Sequence, residues 1–205
     1  MLFRSPWVAG GGFIVVFATS SYFAGRAVGE LPPPPGGLSV LGPQPKSATP
    51  GVMALVPYDL LAAGIVVRDY DPDGDGQELP STVVNAYDQD PITAWTTSTY
   101  GNAAFGGLKA GVGLLVDFGR PVPVRQVGLG FTTPGATVEL RAGDALGSNE
   151  QHLPVVLARS AAATAETLVV TAPAAHRYWL VWISRLPDGF GDRSRVGISA
   201  MVFSH

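Results

Sequence analysis

Short apolar runs separated by turn residues recur from about Gly64 to the end of the chain, and this pattern constrains the fold more than any other feature. Residues 112–118 form one such run, and residues 138–142 alternate between apolar and charged side chains, as a half-exposed strand does. Residues 178–183 are apolar on both faces, which is typical of a central strand. About eight strands with no amphipathic helix after residue 100 predict an all-β fold, an antiparallel β-sandwich of the jelly-roll type.

The N-terminus differs from the rest of the chain because residues 5–25 carry no charge and are strongly apolar at their centre. A helix needs about 20 apolar residues to cross the hydrocarbon core of a membrane. Trp7 and Tyr22 lie near the two ends of this stretch, where aromatic side chains favour the membrane–water interface. We therefore predict a single transmembrane anchor within residues 1–30, the alternative being a cleaved signal peptide.

A proline-rich segment follows the predicted anchor and includes four consecutive prolines at residues 32–35. Such a run forms a stiff polyproline II rod, so we assign residues 31–63 to a linker and residues 64–205 to the folded domain. Arg4 and the amino terminus favour the cytoplasmic side of the anchor, which predicts an extracytoplasmic domain. The chain has no cysteine, which favours a protein of the bacterial cell membrane over a disulfide-bonded eukaryotic module.

Composition and motifs exclude several functions. The formal net charge is −3 and no two basic residues are adjacent, so nothing in the sequence provides the basic field that nucleic acid requires. The absence of cysteine excludes thiolate catalysis and zinc–thiolate sites. His-Glu-x-x-His, Gly-x-Ser-x-Gly and the phosphate-binding Gly-rich loop ending in Lys-Ser or Lys-Thr are all missing. We therefore predict that the chain is not an enzyme.

Acidic residues crowd into one window of the sequence. They are Asp69, Asp71, Asp73, Asp75, Glu78, Asp88 and Asp90. Residues 71–76 resemble the opening of a calcium loop, but the glutamate of an EF-hand is missing, because Pro80 or Thr82 occupies its place. Three interpretations remain open: a looser calcium site that includes Asp71 and Asp73, a solvated acidic turn, and a pair of glycosidase carboxylates.

Candidate ligand-binding residues lie in loops between the predicted strands. Tyr100 and Phe105 offer rings on which a sugar can stack, and Asn102 offers an amide that can read its hydroxyl groups. Basic side chains that can bind a carboxylate or phosphate are Lys109, Arg193 and Arg195, with a solvated loop as the alternative.

Residues 85–95 read Asn-Ala-Tyr-Asp-Gln-Asp-Pro-Ile-Thr-Ala-Trp. This segment resembles the Asn-Ala-x-Asp-Gly-Asp-Pro-x-Thr-x-Trp signature of galactose-binding-like domains of the discoidin (coagulation factor 5/8 type C) group, with Gln89 in place of the glycine. Residues 111–119 and 178–187 resemble, within that group, the C-terminal extracytoplasmic domain of actinobacterial MviN/MurJ-type proteins.

This resemblance implies a galactose-binding-like jelly roll with a calcium ion at the turn, for which Asp88, Asp90 and Thr93 are the matching positions. Ala200 stands where the family commonly has a glutamate that completes the site. The resemblance also implies a non-catalytic, membrane-anchored module for cell-wall or lipid-linked carbohydrate, associated with peptidoglycan-precursor machinery. Two alternatives stay open: a structural scaffold for a membrane protein partner, and a glycoside hydrolase.

Overall fold

A computed structural model describes residues 54–146, 153–159, 162–189 and 193–205. By internal contacts the chain divides into Met1–Thr49 and Pro50–His205, and all described residues belong to the second unit. The predicted transmembrane anchor and most of the predicted linker lie outside the described residues. Within the described ranges, no helix is long and apolar enough to cross a membrane.

The described residues form two antiparallel sheets. One has the strand order β1-β3-β8-β5-β6, and the other has the order β2-β9-β4-β7. Short 3₁₀ helices at Pro80–Ala86 and Phe105–Gly107 lie in the connections. The strands are β1 (Val66–Tyr70), β2 (Trp95–Thr96), β3 (Val112–Pro123), β4 (Gln126–Phe131), β5 (Thr137–Gly143), β6 (Val155–Arg159), β7 (Ala165–Val169), β8 (Ala175–Arg185) and β9 (Gly197–Ser204).

The core lies between the two sheets and explains why the apolar runs form strands. Alternate residues of β4 and β5 are buried, because successive side chains of a strand point to opposite faces of its sheet. The inner faces of both sheets contribute to one apolar cluster, to which β3 adds Leu114, β8 adds Ile183 and β9 adds Phe203. The predicted antiparallel β-sandwich is therefore confirmed.

Strand β8 is buried on both faces, as the apolar run at residues 178–183 predicts. Its inner side chains, such as Val181, join the main core. Its outer side chains form a second cluster with the neighbouring strands, in which Leu180 and Trp182 pack with Tyr70 and Leu115. Because these two clusters cover both of its faces, the part of β8 at residues 178–183 has no solvated face, which explains why its residues are apolar.

The predicted boundary between linker and domain at residues 63 and 64 lies too late in the chain. Residues 54–63, which we call the strap, pack along the end of β9. Tyr58 N donates to Phe203 O at 2.8 Å, and Val56 and His205 exchange two backbone hydrogen bonds of 3.0 and 3.1 Å. Leu60 enters the core and is 7% exposed, which stabilises the contact by about 2 kcal/mol. The strap is thus part of the sandwich.

Candidate functional site

The loops at one end of the sandwich are held together by a short backbone bridge. Tyr100 N donates to Ser194 O at 2.9 Å, and Ser194 N donates to Tyr100 O at 2.8 Å. This bridge fixes the β2–β3 connection, which contains four of the predicted ligand-binding residues, against the segment that contains the other two. We call the region formed by residues 98–110 and 193–196 the loop end.

Arg193 and Arg195 flank the bridge residue on the outer side of the loop end. Burial alternates along this segment, so that Ser194 and Val196 point inward while the two arginines are exposed. Residues two apart on a strand lie about 6.6 Å from one another on the same face. Neither guanidinium forms an ion pair with a described residue. Two exposed positive charges, without an ion-pair partner in the part of the chain that the structure describes, therefore lie two residues apart at the surface.

Asn102 organises the loop beside these arginines. Its Oδ1 accepts hydrogen bonds from Ala104 N at 2.9 Å and from Gly106 N at 3.1 Å. Phe105, Gly106 and Gly107 have φ values of 55°, 67° and 75°, and the two glycines adopt this left-handed region without steric cost. The Asn102 side chain is exposed, and its amide nitrogen is left pointing away from these backbone contacts. It therefore offers a donor at the surface.

Beneath the surface of the loop end lies a buried network of charged and polar groups that no single sequence motif reveals. Lys109 Nζ lies 2.7 Å from Asp71 Oδ2, 3.2 Å from Glu78 Oε2 and 2.9 Å from Tyr100 OH. The side chains of Asp71 and Glu78 are 0% and 1% exposed, and that of Lys109 is 14% exposed. We call these four residues the lysine network.

The Glu78 carboxylate is surrounded by donors. It accepts from Ser98 N at 2.5 Å and from the hydroxyl of Tyr100 at 2.9 Å, in addition to Lys109. The backbone of the same residue is also engaged, since Glu78 N donates to Asp69 and Trp95 Nε1 donates to Glu78 O at 2.7 Å. A buried carboxylate is stable only when it is paired and hydrogen-bonded in this way.

The Asp71 carboxylate is less completely satisfied. Its Oδ2 binds Lys109, but its Oδ1 is buried and has no hydrogen-bond partner among the described residues. Gly74 packs directly over this carboxylate, since a Cβ at that position would lie 2.1 Å from Asp71 Oδ2. Glycine three residues after Asp71 therefore allows the backbone of the acidic loop to pack against a buried carboxylate.

The network changes the acidity of its members. Burial raises the pKa of Tyr100 to about 12; the hydrogen bond from Lys109 opposes this, and the neighbouring Glu78 reinforces it. Burial alone would lower the pKa of Lys109, but its hydrogen bonds to Asp71, Tyr100 and Glu78 outweigh that effect and raise it. Tyr100 therefore stays neutral and Lys109 stays charged throughout the physiological range.

The predicted ligand-binding residues thus fall into two groups. Asn102, Arg193 and Arg195 are exposed at the surface of the loop end. Tyr100 and Phe105 are 8% and 1% exposed and pack edge to face with ring centroids 5.1 Å apart, so neither ring has a face open for a sugar. Lys109 is held by its buried partners. These last three residues form the buried part of the loop end and support its surface residues.

The predicted calcium ligands are also divided between two places. Asp71 belongs to the lysine network, and Asp73 Oδ2 accepts from Ala110 N at 2.9 Å. Asp88, Asp90 and Thr93 form a separate turn.

This turn, at residues 88–93, is closed by its own hydrogen bonds. Asp88 accepts from Asp90 N at 2.9 Å and from Thr93 Oγ1 at 2.8 Å, and Asp90 accepts from Ile92 N at 3.0 Å. Gln89, at the position that the sequence resemblance matches to a glycine, has a φ of 67°.

The donor set does not fit a complete calcium cage. Calcium takes six to eight oxygen ligands, usually with several carboxylates. Across the described ranges no three acidic or histidine side chains gather in a way that could hold a metal ion. Ala200, at the position that the sequence resemblance matches to a metal-binding glutamate, supplies no side-chain oxygen.

Two surface cavities lie on either side of Tyr58 in the strap. One has a volume of about 350 Å³ and is lined on its polar side by Asp59, Tyr87 and Gln89. The other, of about 470 Å³, is lined by Asp59 and Arg120 together with apolar residues. Asp59 is the one carboxylate that lines either cavity, so neither holds the pair of carboxylates that glycoside hydrolysis requires.

Tyr58 and Asp59 fall in the segment predicted to be a linker, so the sequence did not predict a site role for them. The available signal was the apolar and aromatic content of residues 52–61, which a solvated linker does not need. The sequence also did not predict that Glu78 is buried, because no local pattern distinguishes it from the exposed acids around it.

Comparisons with known proteins extend the description of the fold. No protein-family model matches the chain, and no curated protein matches it. It is similar to a GH29 fucosidase of Ruminococcus gnavus in complex with fucose, with a TM-score of 0.51 and 15% identity, covering 70% of this chain and 26% of that chain.

It is also similar to two carbohydrate-binding modules of Clostridium perfringens. One is a CBM32 module, with a TM-score of 0.49 and 7% identity, covering 70% of this chain and 95% of that chain. The other is the family 32 module of NanJ in complex with galactose, with a TM-score of 0.45 and 16% identity, covering 69% of this chain and 94% of that chain. At such low identities these likenesses concern the fold alone.

Proposed function

We propose that this chain is a non-catalytic module that binds an anionic saccharide, one carrying carboxylate or phosphate groups, at its loop end. The observation that carries the proposal is the pair Arg193 and Arg195, exposed on one face without an acidic partner among the described residues. Guanidinium groups bind carboxylate and phosphate through two parallel hydrogen bonds, which gives both affinity and orientation.

The remaining parts of the loop end support the same role. Asn102 offers an exposed amide on the same connection as Tyr100, and the Tyr100–Ser194 bridge holds that connection against the segment that carries the two arginines. Buried hydrogen bonds hold Tyr100 and Lys109 of the loop end in place, which reduces the conformational entropy that is lost when a ligand binds. The assignment to saccharides rests on the resemblance of residues 85–95 to the galactose-binding-like signature.

The finer parts of the proposal concern location. We propose that residues 1–30 anchor the chain in a bacterial cell membrane, with the sandwich on the extracytoplasmic side. A module placed there meets cell-wall polymers and lipid-linked wall precursors, which carry carboxylate and diphosphate groups. Association with MviN/MurJ-type machinery rests on the sequence resemblance alone.

Calorimetric titration of the full 205-residue chain tests this proposal, with muropeptides and soluble lipid II head-group analogues as the probes. We expect saturable binding that weakens by about tenfold or more when Arg193→Ala and Arg195→Ala are combined. Arg125→Ala is the matched control, because Arg125 is exposed and lies beside Ser204, at the opposite end of β9 from the loop end. Flat titrations would overturn the proposal and favour the structural scaffold.

A further inference from the structure

The cavity of about 350 Å³ beside the strap occupies a gap in the edge of strand β9. On one edge, β9 pairs with β4 along most of its length. On its other edge, β2 covers Gly197 and Ile198, and the strap covers Phe203 to His205. No described strand pairs with residues 199–202 on that second edge. The sandwich therefore leaves a short stretch of sheet edge unpaired at this point.

Backbone polar groups point into this gap. Ser204 O accepts from Arg125 N on the β4 side, whereas Phe203 O accepts from Tyr58 N on the strap side. Because backbone groups alternate in direction along a strand, the N–H and C=O of Met201 point to the same side as those of Phe203. Met201 is 2% exposed, and a buried backbone group without a hydrogen bond is costly, which favours a ligand or water at this position.

Side chains complete the cleft with the groups that a sugar site needs. Tyr87 is half-buried, and its hydroxyl forms no hydrogen bond with a described residue. Asp59 Oδ1 accepts from Leu61 N at 3.0 Å, which leaves the other carboxylate oxygen available. Gln89 is exposed at the rim of the cleft. The cavity volume lies in the range typical of small-molecule sites, about 300 to 1,000 Å³.

The charge of the cleft selects among sugars. Asp59 is the one charged residue that lines it, so the charge in its lining is negative, in contrast to the arginines of the loop end; Arg120 lies in the neighbouring cavity. We propose that this cleft is a second site, independent of the loop end, that binds a neutral or amino sugar ring. The ring stacks on Tyr87, and Asp59 binds an ammonium or hydroxyl group.

The test is an NMR titration of the full 205-residue chain with the methyl glycosides of glucosamine, glucose and glucuronic acid, in a detergent that contains no sugar. We expect the amide signals of Gln89, Met201 and Val202 to shift. Binding should be about fivefold tighter for the glucosaminide than for the glucuronide. No shifts at these amides with any glycoside, or equal affinity for all three, would overturn the proposal.

Two variants locate the contacts. Asp59→Asn, at an exposed position, should reduce the preference for the glucosaminide over the glucoside by about fivefold while binding of the glucoside persists. Tyr87→Ala should weaken both by about fivefold or more, whereas Tyr87→Phe keeps the ring and should retain stacking. Val156→Ala, at an exposed position of the other sheet, is the control for nonspecific effects. An unchanged preference in Asp59→Asn would remove Asp59 from the site.

Because the cleft and the loop end differ in charge and position, the two proposals fail separately. A chain that binds the glucosaminide at the cleft but no anionic wall fragment would contradict only the function proposed for the loop end. The opposite result would contradict only the second site.

Discussion

The acidic turn at residues 69–78 carries carboxylates into the protein, whereas the turn at residues 88–93 keeps its carboxylates near the surface. Asp71 and Glu78 in the first turn are both 1% exposed and share the ammonium group of Lys109. Asp88 and Asp90 in the second turn bind mainly the backbone and the hydroxyl of that turn. Two turns of similar composition thus place their carboxylates in different environments: buried beside a cation in the first turn, and near the surface beside neutral donors in the second.

The difference arises from what the rest of the fold brings to each turn. The β2–β3 connection brings Lys109 and Tyr100 against the first turn from more than 20 residues away in sequence. No basic side chain bonds to the second turn among the described contacts, so its acids depend on water and on nearby N–H groups. Acidic spacing alone therefore does not distinguish a structural ion network from a solvated turn.

Removing the cation of the first turn should have the largest effect. In Lys109→Met the apolar stem of the side chain is kept, but Asp71 and Glu78 stay buried without their ammonium partner. We expect the free energy of unfolding to fall by about 3 to 5 kcal/mol, measured by urea denaturation. The matched control is Arg185→Met, whose exposed pair with Asp188 should cost about 0.5 kcal/mol or less. Equal losses in the two variants would contradict the lysine network.

Removing one hydroxyl from the same network should have a smaller effect. Tyr100→Phe keeps the ring against Phe105 but deletes a donor to Glu78, and we expect a loss of about 1 to 2 kcal/mol.

The variant should also change the alkaline stability profile. Because the pKa of Tyr100 is raised to about 12 in the folded state, its contribution is complete below its ordinary value of 10 and is lost as pH rises from 10 to 12. The raised pKa of Lys109 acts in the same direction. We therefore expect a steeper loss of stability above pH 10 in the parent chain than in Tyr100→Phe. Parallel profiles of stability against pH in the two proteins would contradict this role of Tyr100.

The sequence predicted the sandwich well because its signals are local. In β5 apolar and charged residues alternate, and the centre of β8 is a continuous apolar run. Each pattern predicts which residues are buried from neighbours in the sequence alone. The candidate site was predicted only in part, since Asn102, Arg193 and Arg195 are at the surface while Tyr100, Phe105 and Lys109 are not. Burial of a loop residue depends on contacts distant in sequence, such as that between Lys109 and Asp71, which no local pattern encodes.

The domain boundary was misplaced for a related reason. Prolines at residues 50 and 57 suggested a continuing linker, but Pro57 forms a β-bridge with Ser204 at the edge of β9. Proline is compatible with such an edge position, where its missing N–H is not needed. Proline content therefore marks where the chain is stiff and does not by itself mark where the domain begins.

In the second turn, deleting a carboxylate should cost less than any change in the lysine network. Asp88→Ala removes acceptors for Asp90 N and Thr93 Oγ1, but water can replace them at this partly exposed position. We expect a loss of about 1 kcal/mol in urea denaturation, against a negligible effect of Asp188→Ala at an exposed position. A loss as large as that of Lys109→Met would mean that the two turns do not differ as described.

Calcium should have the smallest effect of all, and it tests the comparison most directly. In the second turn the Asp88 carboxylate already accepts from the Thr93 hydroxyl and the Asp90 carboxylate from Ile92 N, and Ala200 adds no side-chain oxygen. A ligand present at about its dissociation constant stabilises a protein by only about 0.4 kcal/mol, so weak binding at millimolar calcium should leave the midpoint of thermal unfolding nearly unchanged. A rise of several degrees that disappears in Asp90→Ala would instead establish a calcium site at this turn. The same rise retained in Asp90→Ala would place calcium elsewhere in the chain.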